Sequence, residues 1–185
     1  MFRILMAVAV LALALIPAAA SDDGIDPSPK PQNCVNYNIS GADDWSAPLE
    51  NGRECVEGGS GNNALATKGN LDYIDGNGGS DSLYGGDDQD VVYGGKEGDY
   101  IEGNGGDDNL YAGCPGGCDV SGRVHFDVLY GQGGDDRLAM RNNEPDDQAH
   151  CGNGNDVAYL DPKSITDSQG NYDTADGSCE DVRRG

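Results

Sequence analysis

The chain has 185 residues, with 33 acidic against 11 basic side chains, a formal net charge of -22, 30 glycines and 6 cysteines. A field this negative repels phosphate backbones and anionic head groups, which argues against nucleic acid and against a membrane surface as partners. Aromatic residues make up only 6% of the chain, so an ordinary close-packed core is hard to find in it, leaving either disorder or an order that metal ions supply.

Residues 1–20 read as a secretory signal peptide. Arg3 precedes an apolar run from Ile4 to Ile16, followed by Pro17 and Ala18-Ala19-Ala20. A charged start, a short apolar stretch and a small-residue exit are the parts of such a signal, with cleavage expected after Ala20. The run is shorter than the roughly 20 residues needed to span a bilayer, so no membrane insertion is expected and the chain is predicted to be extracellular. Residues 21–33 form a proline-containing flexible leader, and residues 34–57, with Trp45, an N-terminal cap over the first strand edge. Asn38-Ile39-Ser40 is a glycosylation sequon.

The six cysteines are an even set, which in a small secreted chain predicts disulfides. Nearness in sequence suggests Cys34–Cys55, Cys114–Cys118 and Cys151–Cys179, although many other connectivities are open. Cys114-Pro-Gly-Gly-Cys118 is expected to be a structural staple, because its spacer is not that of a redox C-x-x-C at a helix N-terminus.

From Gly58 to Tyr111 the sequence falls into six consecutive nonapeptides: GGSGNNALA, TKGNLDYID, GNGGSDSLY, GGDDQDVVY, GGKEGDYIE and GNGGDDNLY. After an insertion at 112–121 the register resumes with GRVHFDVLY and GQGGDDRLA. A second insertion at 140–150 precedes CGNGNDVAY. Positions one to six are mostly Gly, Asn and Asp, which accept tight turns and positive φ. Positions seven to nine predict a three-residue strand whose middle side chain, aliphatic in nearly every unit, points inward. Alternating turns and strands make an all-β chain, a parallel β-roll (β-solenoid) with disulfide-tied caps, in which every second unit stacks on the same side. Helix is excluded by glycine density, at about 1 kcal/mol per Gly against Ala.

One inward aliphatic per nine residues is little burial to set against the entropy of ordering the chain. Stacking also brings turn aspartates of adjacent coils to strand spacing, where two charges repel by about 3 kcal/mol at an effective dielectric of about 20. A divalent cation between the turns reverses the sign of that term. Calcium suits carboxylate and carbonyl oxygens, whereas zinc wants His and Cys and magnesium keeps its waters. The chain has 2 histidines, His125 and His150, and the predicted oxidation of its cysteines removes them as ligands.

The units resemble the G-G-x-G-x-D-x-U-x nonapeptide of RTX (haemolysin-type calcium-binding) proteins over Gly58–Ala139 and again over Cys151–Tyr159. The resemblance implies a β-roll with several calcium ions held between stacked turns. It assigns ligand roles to the sixth-position carboxylates Asp72, Asp81, Asp90, Asp99, Asp108, Asp127, Asp136 and Asp156. It assigns the turn backbone of Gly76, Gly78, Gly85, Asp87, Gly94, Lys96, Gly103, Gly105, Gly131 and Gly133 to the same sites. Asn63 replaces the first aspartate, and Thr67, Lys68 and Asn70 replace turn residues of the second unit. Asp88 and Glu97 stand at the fourth, normally glycine, position, where they add ligands or strain the turn. The unit at Gly122 has lost its glycine turn and predicts a strand without a full calcium site.

Residues 160–185 read as a C-terminal cap or tail with a solvated basic finish at Arg183-Arg184. Asp176-Gly177-Ser178-Cys179-Glu180 is similar to the D-G-x-x-C-E close of Excalibur modules, one residue short; the competing reading is a disulfide-anchored cap. No H-E-x-x-H, G-x-S-x-G or EF-hand loop occurs, and the repeat singles out no carboxylate pair, so no enzyme activity is expected. The sequence therefore reads as a secreted calcium-binding repeat protein that folds on binding the ion. The alternative is an adhesion or carbohydrate-binding module that contacts a cell-surface or extracellular polymer through outward tyrosines (Tyr73, Tyr84, Tyr93, Tyr100, Tyr111, Tyr130), with structural calcium. RTX proteins typically leave the cell by a C-terminal signal, so the export route is not carried over by the resemblance.

Overall fold

The computed structural model describes residues 30–32, 35–39, 44–46, 52–115, 125–166 and 168–185. The segments read as a signal peptide and, for the most part, as a leader, together with Cys34, Cys118 and the head of the unit at Gly122, lie outside the described residues. The described chain is all β. It begins with β1 (Val35–Asn38), β2 (Asp44–Ser46), β3 (Glu54–Glu57), β4 (Ala64–Ala66) and β5 (Tyr73–Asp75). Through the repeats run β6 (Ser82–Asp87), β7 (Val91–Tyr93), β8 (Tyr100–Gly105), β9 (Asn109–Tyr111), β10 (Val128–Gly133) and β11 (Arg137–Met140). The series closes with β12 (Gln148–Asn153), β13 (Val157–Leu160), β14 (Thr174–Ala175) and β15 (Asp181–Arg184). Among the described residues no helix is long and apolar enough to cross a membrane.

Odd-numbered strands make one eight-stranded parallel sheet and even-numbered strands a seven-stranded one, each in simple chain order. The pairing follows from the nine-residue period: two units complete a coil, so Ile74 pairs Val92 in one sheet while Leu83 pairs Ile101 in the other. The eighth-position side chains Leu65, Ile74, Leu83, Val92, Ile101, Leu110, Leu129 and Leu138 are fully buried and form one continuous core. Each such side chain contributes about 1.5–3 kcal/mol on burial.

Three features depart from the sequence reading. Strands β6, β8, β10 and β12 have six residues, longer than the expected three, because pairing continues past the inward residue into the next turn, as Gly86 with Asn104 shows. The two sheets also run through the segments read as caps, since β3 pairs β5 and β13 pairs β15 in the same register. The insertion at 140–150 likewise contributes to β12, which pairs β10 through Leu129 and Ala149.

Cys151 and Cys179 form a disulfide that ties the tail to the roll, the pairing suggested by sequence. Cys55 and Cys114 are disulfide-bonded as well; their expected partners lie outside the described residues. The basic finish is not simply solvated: Arg184 donates to the carbonyls of Asp161 and Asp173, and Arg183 packs its guanidinium over Tyr159.

Candidate metal centre

The coil is too short for its turns to be independent. Each sixth-position residue sits directly beneath its counterpart one coil on, and the two edges of the roll each carry a column of acids. On the edge leading into the even strands, the backbone N–H of Asn63 donates to Asp81 Oδ1, that of Asp81 to Asp99 and that of Asp99 to Asp127, at 2.6–2.8 Å. On the other edge the chain of donors runs Glu54 to Asp72, Asp72 to Asp90, Asp90 to Asp108, Asp108 to Asp136 and Asp136 to Asp156, at 2.8–2.9 Å. One carboxylate oxygen of each aspartate thus satisfies the backbone of the coil before it.

The second oxygen is left over. Oδ2 of Asp81, Asp90, Asp99, Asp108, Asp136 and Asp156 is buried and accepts no hydrogen bond among the described residues. A buried acceptor without a donor is costly, and far more so when charged. Burial, reinforced by neighbouring carboxylates, accordingly pushes Asp90 and Asp99 up to about 9 and Asp81 and Asp108 up to about 7, despite the opposing backbone N–H bond. Asp136 rises to about 6 for the same reason, and Asp72 and Asp156 rise too.

The first-position glycines show what those oxygens face. A Cβ on Gly85 would stand 2.5 Å from Asp90 Oδ2 and 2.9 Å from the Gly103 carbonyl of the next coil. On Gly94 it would stand 2.5 Å from Asp99 Oδ2 and 2.7 Å from the Ala112 carbonyl. Gly76, Gly103 and Gly131 repeat the pattern with Asp81, Asp108 and Asp136, each against a carbonyl one coil on. The absent side chain therefore leaves a cradle lined by one carboxylate oxygen of the same turn and one carbonyl of the next. Oxygen-only donors carrying negative charge suit a hard cation such as calcium and lack the His and Cys ligands that zinc prefers. The residues fit the ion that the sequence reading assigned to them.

Third-position residues stack in the same way: Gly78 bridges Lys96, and Asp87, Gly105 and Gly133 pair in turn. At the fourth position Asp88 and Glu97 hold φ of 71° and 75°, a left-handed conformation that costs an L-residue roughly 1–2 kcal/mol. Strain, rather than simple replacement of glycine, is thus present there. Thr67 fills the head of its turn and donates its hydroxyl to the Gly85 carbonyl, while Asn63 accepts the Gly59 N–H at 2.8 Å and so closes its turn without a carboxylate.

Four acids in these columns escaped the sequence reading. Glu54, Asp147, Asp173 and Glu180 occupy sixth-position places, as their in-register hydrogen bonds show. The signal that survives in each is an acid two residues before Val or Ala: Val56, Ala149, Ala175 and Val182. The first-position glycine that made most other units legible is missing from each. Asp127, by contrast, is in place in its column, but Asn142 donates its side-chain amide to Oδ2 at 3.0 Å.

The tyrosines do not form one outward face. Tyr73 and Tyr93 are buried on the odd sheet, with Tyr93 stacked on Tyr111 at 4.4 Å, whereas Tyr84, Tyr100 and Tyr130 lie on the even sheet.

The family model for the RTX calcium-binding nonapeptide repeat matches the chain four times, at residues 57–92, 69–101, 85–113 and 126–139. Neither a curated protein nor a solved structure matches significantly.

Proposed function

Residues 57–139 carry RTX calcium-binding nonapeptide repeats, and on that footing we propose that the chain is a secreted, non-enzymatic protein whose roll is ordered by extracellular calcium. The observation that carries this reading is the row of buried, partnerless Oδ2 atoms of Asp81, Asp90, Asp99, Asp108 and Asp136, each facing a glycine-made cradle and a carbonyl of the next coil. Asp81, Asp90, Asp99, Asp108 and Asp136 supply the charge; Gly76, Gly78, Gly85, Asp87, Gly94, Lys96, Gly103, Gly105, Gly131 and Gly133 supply the turn backbone. A bound ion offers each leftover oxygen a positive partner and links one coil to the next. Secretion is supported by the signal-like start and by the disulfide-bonded cysteines.

The tyrosine-face alternative has less behind it. Rings that grip a sugar must offer it their faces, but Tyr130 stacks on His150 at 4.6 Å with 10° between planes, and Tyr73 and Tyr93 are buried.

Calorimetric titration of calcium into the chelator-stripped mature chain tests the proposal. Several ions should bind per chain, and Asp90→Asn, which keeps an acceptor for the Asp72 N–H but puts an amide in the cradle, should bind fewer. An absence of binding at millimolar calcium, or an unchanged number of ions in the variant, would overturn it.

A further inference from the structure

The two acid columns are not alike along their length. On the odd-strand edge the cradle pattern recurs as far as Asp136, and Oδ2 of both Asp136 and Asp156 has no donor among the described residues. On the even-strand edge the residue at the head of the turn changes along the roll. Gly76 and Gly94 are followed by Ala112, which stands over Gly94 with its carbonyl facing the Asp99 cradle. Above Ala112 comes Met140, since the Ala112 N–H donates to the Ala139 carbonyl just before it. Leu160 pairs with Met140 in turn. Ala112, Met140 and Leu160 are fully buried members of the central core, so apolar side chains take the position that glycine leaves open elsewhere.

Above that change the Oδ2 atoms of Asp127, Asp147 and Asp173 find protein donors, whereas Glu144 Oε1 and Asp161 Oδ2 have none among the described residues. Asn142 donates one amide nitrogen to both Asp127 Oδ2, at 3.0 Å, and Asp147 Oδ2, at 3.1 Å. Its own carbonyl oxygen accepts the Glu144 N–H at 2.9 Å, which fixes the amide with its nitrogen toward the two acids. Asp173 Oδ2 accepts the Asp161 N–H at 2.9 Å. An amide nitrogen between two stacked carboxylate oxygens does the bridging that a cation would do between coils, with hydrogen bonds in place of charge. It also occupies the space, because it lies at hydrogen-bond distance from both.

Resting on the calcium reading above, we propose that Asn142 replaces a metal ion at the Asp127–Asp147 step, so that the two calcium rows have unequal lengths. The row on the odd-strand edge continues to Asp136, the last carboxylate beside a first-position glycine; the row on the even-strand edge ends at Asp99. Asp127, assigned a ligand role by the repeat pattern, then takes part in a bridge made of protein beyond that point.

Counting calcium on folded, dialysed full-length mature protein tests this with three samples: wild type, Asp108→Asn and Asp147→Asn. Asp108→Asn should lose bound calcium while Asp147→Asn keeps the wild-type number. A loss in Asp147→Asn equal to that in Asp108→Asn would overturn the proposal, whereas no loss in Asp108→Asn would instead overturn the calcium reading beneath it. If Asp147→Asn does not fold, Asn142→Ala decides, since it removes the bridging amide but no acid. It should keep or raise the calcium number, and a loss equal to that in Asp108→Asn would contradict a metal-free step.

Discussion

At the scale of single residues, the roll depends on what the first turn position lacks. Gly85 is required because a Cβ there would stand 2.5 Å from Asp90 Oδ2 and 2.9 Å from the Gly103 carbonyl, distances that real Cβ atoms do not tolerate. Gly85→Ala should therefore cost about 1–3 kcal/mol in the calcium-bound protein, as overpacking does elsewhere, and should weaken calcium binding at that turn. Thermal melts with and without calcium check this: the destabilisation should be larger with the ion present, and an equal loss in both conditions would mean that the glycine serves the backbone alone. These glycines were legible in the sequence because the physical demand is local. The takeover of the same position by Ala112, Met140 and Leu160 was not, since an insertion separates Ala112 and Met140 from the strands that follow and nothing in a nonapeptide alignment places them over Gly94.

At the scale of the element, each edge is a column of carboxylates that bond the backbone through one oxygen and leave the other over. The titration of these columns gives a signed prediction. Asp90 and Asp99 titrate at about 9 and Asp81 and Asp108 at about 7 in the metal-free roll, against an ordinary value of 3.8. The folded chain therefore binds more protons than the unfolded one between those limits. Without calcium its stability is greatest toward the acid end and falls as pH rises through about 9. Melting temperature in EDTA should thus decrease between pH 5 and pH 9, whereas in saturating calcium, which binds ionised carboxylates, it should increase over the same range. Parallel slopes in the two series would contradict the assignment of these acids to metal. Asp72 to Asp108 were legible from the sixth-position rule, but Asp147 and Asp173 were not, because their turns are longer, irregular segments without a glycine at the first position.

At the scale of the whole molecule, two parallel sheets enclose a core one side chain wide, and no part of it is deep. Alternate stacking of units and the inward aliphatic at every eighth position follow from the nine-residue period, so the architecture was legible at once. Its extent was not: β3, β14 and β15 continue the sheets where the glycine signal has faded, and the Cys151–Cys179 disulfide fastens the last coils. A core this thin, flanked by two columns of like charge within a chain of net charge -22, leaves cohesion between coils to whatever sits in the cradles. Far-UV circular dichroism of the purified mature chain, melted in millimolar calcium and again in excess EDTA at neutral pH, tests that most directly. The account predicts a large loss of sheet signal and of melting temperature on chelation, restored when calcium is returned. Identical spectra and melting points in the two conditions would contradict it.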